Sequence, residues 1–340
     1  MRPDGARRMT PQPIYLEDKL REVQDSGRLA YRSRSMPTWC PGCGYFSIVD
    51  GLPGALNEAG IEAKDTVVVS GIGCSSRFPF FVNTYGFHTL HGRVLPVATG
   101  IKTANDALTV IAVGGDGDGF AIGGGHVPHA ARRNVDLTYL LFDNGIYGLT
   151  KGQTSPTSAV GFRTSTSPYE NPDPPLNPLA MVLAYGATWV GQAYAGRPQQ
   201  LEALIKQAIA HRGFSYLHIL SPCVTFDKTE RTYDRLGERV TDVPAGHDPG
   251  DLQAAMALAM LSGAESNDRR GSKWSSASHI TSSPHASAAS TCASASSKAS
   301  LSVRPGSDGN SWNMPNSMEW TSCRRHSGQP SVVSHAQVYN

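Results

Sequence analysis

Two sets of residues in this chain have the types and spacing to do chemistry. The first is Gly114-Gly115-Asp116-Gly117-Asp118, with Asp143-Asn144 following, Asn144 standing 28 residues after Asp116. Glycines there let backbone amides approach a phosphate closely at the start of a helix, where the dipole favours anions. Asp116 offers a hard carboxylate, Asn144 a neutral amide oxygen, and Ile146 a backbone carbonyl just beyond. With diphosphate oxygens, these three complete an octahedral environment for Mg²⁺. Taken singly, the segments also suit Gly/Asp turns that close βα units. Their pairing, with Asp118 and a Tyr147-Gly148 turn behind it, favours the diphosphate reading. The second set is Cys40-Pro41-Gly42-Cys43, Cys74 and Cys223. Four thiolates at such positions can hold a [4Fe–4S] cluster or a structural Zn²⁺. A Cys₄ zinc ribbon usually carries two Cys-x-x-Cys hairpins, and this part of the chain has one. Alone, Cys74 or Cys223 would pass as a buried small residue.

The elements that must position these residues can be read from the apolar pattern. Thr66 to Ser70 precedes Gly71-Ile72-Gly73, and Leu108 to Val113 precedes the Gly-Gly-Asp segment. Leu137 to Phe142 precedes Asp143-Asn144, and Ser215 to Leu220 precedes Ser221-Pro222-Cys223. Helix-like stretches lie between, such as Gln199 to His211 with Leu201, Leu204, Ile205 and Ala208 on one face. Short apolar strands alternating with helices predict an α/β fold, a doubly wound parallel sheet covered on both faces. Cys74, Asp116, Asn144 and Cys223 all fall just past the carboxyl end of a predicted strand, the edge at which open α/β sheets bind ligands.

The predicted organisation is an N-terminal arm over 1–38 with a short helical candidate from Leu16 to Val23, an α/β domain over 39–262, and a Ser/Ala-rich tail over 263–340. The tail composition predicts disorder, because it offers too little apolar surface to offset the entropy of ordering. The tail histidines His279, His285, His326 and His335 have no ligand spacing. Thirty basic against 28 acidic residues in 340 give a net charge of +2, unlike the strong positive field of a nucleic-acid binder. No apolar run reaches the roughly 18 residues of a membrane span, and the N-terminus lacks the apolar stretch of a secretory signal. A cytoplasmic location is the expectation. There a Cys-x-x-Cys reads as a metal or redox motif before a disulfide.

Together the motifs resemble a known family. Gly-Asp-Gly followed by an Asn-containing segment looks like the diphosphate-binding half of thiamine diphosphate enzymes. The fuller set, Trp39–Gly44, Ser70–Arg77, Asn83–His88 and His91–Arg93, resembles the β subunits of 2-oxoacid:ferredoxin oxidoreductases over about residues 39–260. The resemblance implies thiamine diphosphate and Mg²⁺ held by Asp116, Asn144 and Ile146, and a [4Fe–4S] cluster on Cys40, Cys43, Cys74 and Cys223. The candidate cofactor contacts are then Gly73, Ser75, Gly115, Asp116, Gly117, Asp118, Asn144, Tyr147, Gly148, Leu149 and Thr150. It also implies oxidative decarboxylation of a 2-oxoacid, transfer of the acyl group to coenzyme A, and passage of electrons to ferredoxin. The Glu that activates thiamine lies in the family's α subunit. This chain should therefore act only with an α partner, as αβ or (αβ)₂.

Ile146 to Gln153 matches the Leu-Thr-Lys-Gly-Gln version of 2-oxoglutarate-type subunits, which assigns Lys151 to the substrate's distal carboxylate. His88 and His91, near the end of the second βα loop, are candidates to contact the reacting carboxylate or cofactor; His88 is taken as catalytic. Arg132-Arg133 is expected to complement a helix C-terminus. Three other readings compete. The diphosphate half of a non-oxidative thiamine diphosphate decarboxylase or synthase would explain Asp116 and Asn144 but leave the cysteines without a role. A pyruvate-type oxidoreductase and a degenerate, non-catalytic subunit are the others. Past Gly246–Pro249 family members continue with more folded chain, whereas here the helix-like Leu252 to Leu261 is followed by Ser/Ala/Arg-rich sequence without the family pattern, as a reading-frame change or a poorly conserved ending would produce. Resequencing the coding DNA and weighing the purified protein test that expectation.

Overall fold

The computed structural model describes residues 27–229, 231–264, 274–276 and 281–282. The helical candidate from Leu16 to Val23 and nearly all of the 263–340 tail lie outside these residues. The strands are β1 (Thr66–Ser70), β2 (Tyr85–His88), β3 (Thr109–Gly115), β4 (Leu137–Asp143), β5 (Ile146–Tyr147), β6 (Gln153–Thr154), β7 (Trp189–Tyr194) and β8 (Phe214–Leu220). The longer helices are α1 (Tyr45–Glu58), α2 (Val94–Ala104), α3 (Val127–Arg132), α4 (Pro178–Ala184), α5 (Pro198–Ala210), α6 (Tyr233–Arg239) and α7 (Leu252–Ala264). Six strands form a parallel sheet in the order β7-β8-β4-β3-β1-β2. The two-residue segment Thr281–Ser282 adds antiparallel to β7, and β5 and β6 make a separate hairpin.

Successive strand side chains point to opposite faces, and the core divides accordingly. Val67, Val69, Val110, Ala112, Tyr139 and Leu141 pack with α2, α3, α4 and α7 through Leu95, Ala98, Ala131, Val182, Leu183 and Ala259. Val68, Ile111, Val113, Leu140 and Phe142 pack with α1 and α5 through Ile48, Leu52, Leu56, Leu201, Leu204 and Ile205. Both faces of the sheet are thus covered, which makes the fold doubly wound. At the α1–α5 contact Gly54 allows the close approach: a Cβ there would meet Glu202 Oε1 at 2.2 Å.

Two strands lack a clear apolar pattern in the sequence. The four residues of β2 are all exposed, because it is the sheet's edge. In β7, Gly191 and Gln192 interrupt the apolar run, yet every residue is buried. A further difference concerns the segment after β3. Gly114 and Gly115 belong to the strand, and a five-residue π-helical turn, Asp118–Ile122, comes before the six-residue α3. A long helix dipole therefore does not stand behind Asp116. Arg132 and Arg133 do close α3. The last helix of the α/β unit, α7, runs to Ala264, two residues beyond the expected boundary. Among the described residues no helix is long and apolar enough to cross a membrane.

Candidate functional site

The carboxyl ends of β1, β3 and β4 converge on one cavity. Gly73, Ser75, Gly115, Asp116, Gly117, Asp118, Asn144, Ile146, Tyr147, Gly148, Leu149 and Thr150 line it, with Tyr45, Ile72, Cys74 and His91. Local sequence explains the shape. Gly73 turns the chain with φ +140°, a conformation that disfavours side chains. Gly117 has an ordinary helical φ of −68°, but a Cβ there would sit 2.2 Å from Tyr147 Cε1. The hairpin of β5 and β6 brings Tyr147 back over the Gly-Asp-Gly-Asp turn.

Asp118 braces this edge. Its Oδ1 accepts from Ile72 N at 2.9 Å and Gly92 N at 2.7 Å, and faces His91 Nδ1 at 3.0 Å. One carboxylate thus ties the loops after β1 and β2 to the turn after β3. Burial pushes the Asp118 carboxyl up, and the two amides and His91 pull against that. His91 Nδ1 also faces the carbonyl of Ile72 at 3.2 Å, so both its neighbours are oxygen atoms.

A cation-seeking arrangement lies beneath. Asp116 and Asp143 are each 1% exposed, and the Thr157 hydroxyl stands 2.8 Å from a carboxylate oxygen of both. One hydroxyl hydrogen can serve only one of them. Burial and then the Asp143 charge push Asp116 up to about 7, against the hydroxyls of Ser155 and Thr157 and the charge of Arg231. Burial would raise Asp143 too, but the Arg231 guanidinium and His218 hold its carboxyl well below the usual range. The unmet charge belongs to Asp116, the residue that a divalent cation would neutralise. Asn144 Oδ1 accepts from Ile146 N at 3.2 Å, and the Ile146 carbonyl accepts from Gly148 N at 3.0 Å. Ser75 Oγ and Asp118 Oδ2 are buried in the wall with no hydrogen-bond partner among the described residues. A carboxylate, two carbonyl oxygens and orphaned polar atoms around glycines fit a diphosphate with Mg²⁺.

The cysteine segments are stitched together beside this cavity. Trp39 Nε1 donates to the Cys74 carbonyl at 2.7 Å, and Gly44 N to the Pro222 carbonyl at 3.3 Å. Burial pushes the Cys43 thiol up to about 12, offset by the backbone at Tyr45 and reinforced by Cys223, Cys74 and Cys40. Burial pushes Cys74 up to about 11, reinforced by Cys223 and Cys40. Burial also raises Cys223, against backbone amides of Phe226, Asp227 and Thr225. The two hydrogen bonds hold the cysteine segments side by side, close enough for the thiols to raise one another, and amides directed at a sulfur suit a thiolate once metal removes its proton. Among the described residues no three His, Cys, Asp or Glu side chains converge on a single ion position. A cluster distributes its four thiolates over four irons, so convergence on one point is not its requirement. The four cysteines are free thiols.

Two expected catalytic residues stand apart from the cavity wall. His88 is exposed at the end of edge strand β2, where Nδ1 lies 3.0 Å from Ser70 Oγ and 3.1 Å from the Ser76 carbonyl. These contacts tie it to the β1–β2 edge, and of the two candidate histidines His91 lines the cavity wall. Lys151 is an exposed rim residue one position past Thr150, with φ +81°. Its amide donates to the Gly148 carbonyl at 3.1 Å, which holds that left-handed turn. The buried Asp143–His218–Gln192–Arg231–Thr157 network is not foreshadowed by any motif in the sequence. Its members are far apart in the chain, and its one local sign is a polar Gln192 and His218 inside two buried strands.

Known proteins resemble the chain over this same region. Residues 71–219 match the family described as thiamine pyrophosphate enzyme, C-terminal TPP binding domain. Residues 223–265 match the family of the C-terminal part of the pyruvate ferredoxin oxidoreductase beta subunit. The 2-oxoacid:ferredoxin oxidoreductase subunit beta of Saccharolobus solfataricus is 44% identical over 239 residues, 68% of this chain and 78% of that one. The 2-oxoglutarate oxidoreductase subunit KorB of Mycobacterium tuberculosis is 47% identical over 189 residues, 56% of this chain and 51% of that one. Among solved structures, the 2-oxoglutarate:ferredoxin oxidoreductase from Magnetococcus marinus, with 2-oxoglutarate, coenzyme A and succinyl-CoA bound, is 49% identical with a TM-score of 0.71. It covers 75% of this chain and 84% of that one.

Proposed function

The chain belongs to the family of 2-oxoacid:ferredoxin oxidoreductase β subunits, and from that premise we propose that it oxidatively decarboxylates 2-oxoglutarate. The acyl group passes to coenzyme A, and the electron pair leaves one electron at a time through a [4Fe–4S] cluster to ferredoxin. The observation that carries this reading is Cys74. It lines the diphosphate cavity and belongs to the thiol set, so the cofactor site and the electron exit share a wall.

Bound thiamine diphosphate supplies the carbanion chemistry, while the protein orients it and provides the exit. Asp116, Asn144 and the Ile146 carbonyl would hold Mg²⁺, and the amides of the glycine turn would bind the diphosphate. Cys40, Cys43, Cys74 and Cys223 hold the cluster. The cofactor site is completed by an α subunit, and the working unit is αβ or (αβ)₂ in the cytoplasm.

Anaerobic reduction of ferredoxin by the co-expressed αβ complex, dependent on both 2-oxoglutarate and coenzyme A, tests the proposal. Thiamine diphosphate bound without iron, with CO₂ released and no ferredoxin reduced, would transfer the chain to the non-oxidative decarboxylases.

The substrate rests on the rim lysine and on the 2-oxoglutarate named in relatives. Lys151 pairs with the distal carboxylate of a dicarboxylic oxoacid, and a charge-assisted hydrogen bond of that kind contributes about 1.5–3 kcal/mol. Lys151→Met should raise the KM for 2-oxoglutarate about tenfold to a hundredfold and leave that for pyruvate nearly unchanged. Equal effects on both substrates would remove Lys151 from specificity. The cavity wall gives a second expectation. Gly117→Ala should displace Tyr147 and weaken Mg²⁺-dependent thiamine diphosphate binding about tenfold or more, with little change in thermal midpoint, because Tyr147 is only half-buried. Wild-type affinity in that variant would show that the Tyr147 lid does not shape the site.

A further inference from the structure

Arg231 joins the two halves of this site. Its backbone carbonyl accepts from Cys223 N at 2.9 Å, closing the loop that begins at the thiol. Its guanidinium turns toward the end of β4, where Nη2 lies 3.3 Å from Asp143 Oδ1 and 3.4 Å from Oδ2, and 3.4 Å from the Thr157 carbonyl. It packs so closely over Gly145 that a Cβ there would sit 2.7 Å from Arg231 Nε. Arg231 is 6% exposed and Asp143 1%. A buried ion pair adds little net stability over apolar side chains of similar volume, so its geometry is the more telling property.

That geometry leads to the metal site by two routes. Asp143 is bonded directly to Asn144, and the Thr157 hydroxyl reaches from Asp143 Oδ1 to Asp116 Oδ2 at 2.8 Å each. His218 Nε2 grips Asp143 Oδ2 at 2.8 Å, with Gln192 Nε2 placed 3.0 Å from His218 Nδ1 behind it. The carboxylate is therefore fixed from the sheet side by His218 and from the cysteine loop by Arg231.

We propose that Arg231 is a positioning residue that clamps the Cys223 loop to the strand end carrying Asn144, so that the electron exit and the cofactor floor keep one fixed separation. The inference rests on the functional reading above, in which the chain binds both thiamine diphosphate and a cluster. Groups that fix a metal ligand from behind typically alter metal affinity 10–100-fold when replaced, and misplacement by about 1 Å can cost a hundredfold in rate.

The test uses the co-expressed αβ complex with Arg231→Lys and Arg231→Met. Two quantities are read: the apparent Kd for Mg²⁺-dependent thiamine diphosphate by tryptophan fluorescence, and the midpoint potential of the reduced cluster by EPR. Lysine keeps the charge but offers a single point in place of the planar fork. Arg231→Lys should fold, weaken cofactor binding about tenfold and shift the potential, and Arg231→Met should weaken it by about 10–100-fold. Adding Asp143→Asn to Arg231→Met should restore part of the lost affinity by neutralising the carboxylate that has lost its guanidinium.

Unchanged affinity and potential in Arg231→Lys, or a lowered thermal midpoint with neither moved, would overturn the clamp. No restoration by Asp143→Asn would overturn the route through Asp143. Should Arg231→Met not fold, Arg231→Lys decides alone. A wild-type complex without a cluster signal would instead sink the functional reading, and this inference with it.

Discussion

Asp116→Asn is expected to weaken Mg²⁺-dependent thiamine diphosphate binding severely while making the unliganded β subunit more stable at pH 8. The substitution keeps the shape of the side chain and a polar atom for the Thr157 hydroxyl, and removes only the charge. Loss of a direct metal ligand should exceed the 10–100-fold typical of groups one step removed, so an affinity loss of about a thousandfold is expected by isothermal titration. Ferredoxin reduction by the αβ complex should fall with it.

The stability change follows from the direction of the Asp116 shift. Burial and the neighbouring Asp143 push its carboxyl from 3.8 to about 7 in the folded chain. Between those values the folded state holds a proton that the unfolded state has released, so stability falls as pH rises through this window and levels off above 7. A neutral Asn removes that loss. The gain at pH 8 is on the order of a few kcal/mol, read as a higher thermal midpoint than wild type at pH 8 and little difference at pH 4. Saturating Mg²⁺ and thiamine diphosphate should stabilise the wild type and not the variant. Equal cofactor binding by Asp116→Asn would remove Asp116 from the metal site, and an unchanged pH profile would show that its charge is already balanced.

That trade between stability and binding marks what the sequence could disclose. Strand-end chemistry was legible because β1, β3, β4 and β8 are buried on both faces and read as predominantly apolar runs. Each then delivers its Gly, Asp, Asn or Cys to the same edge. Strand β2 was hidden because an exposed edge imposes no apolar pattern, and β7 because Gln192 inside it answers His218 across the sheet.

The same logic separates the residues of the site. Asp116 and Asn144 are recognisable by local spacing, which a linear reading can follow. Asp143 and Arg231 lie 88 positions apart, and their pairing exists only once β4 and the loop after β8 are neighbours. His88 and His91 differ by three positions, but only the course of the edge strand decides that one fastens β2 and the other faces the cavity. Lys151 adopts φ +81°, a conformation uncommon for a residue with a side chain, so its left-handed turn, unlike its exposure, could not be read from its type.

Cys223→Ala should separate the two functions that Cys74 combines. Cys223 is absent from the cavity wall, whereas Cys74 lines it and its Sγ would lie 3.3 Å from a Cβ placed on Gly148. The hydrogen bond from Cys223 N to the Arg231 carbonyl involves backbone atoms alone, so alanine preserves it and the loop remains closed. The variant αβ complex is therefore expected to bind thiamine diphosphate within a fewfold of wild-type affinity and to lack the EPR signal of a reduced [4Fe–4S] cluster. Ferredoxin reduction should fall by about a thousandfold, because the electron pair released at the cofactor has no one-electron acceptor beside it.

Cys74→Ala should remove the cluster and weaken cofactor binding together. The contrast between the two variants is the decisive reading, since a chain that merely misfolds would lose both properties in each. An intact EPR signal in Cys223→Ala would remove that thiol from the ligand set. Loss of cofactor binding in Cys223→Ala would mean that the cluster props up the diphosphate floor, with coupling through the loop that Arg231 closes.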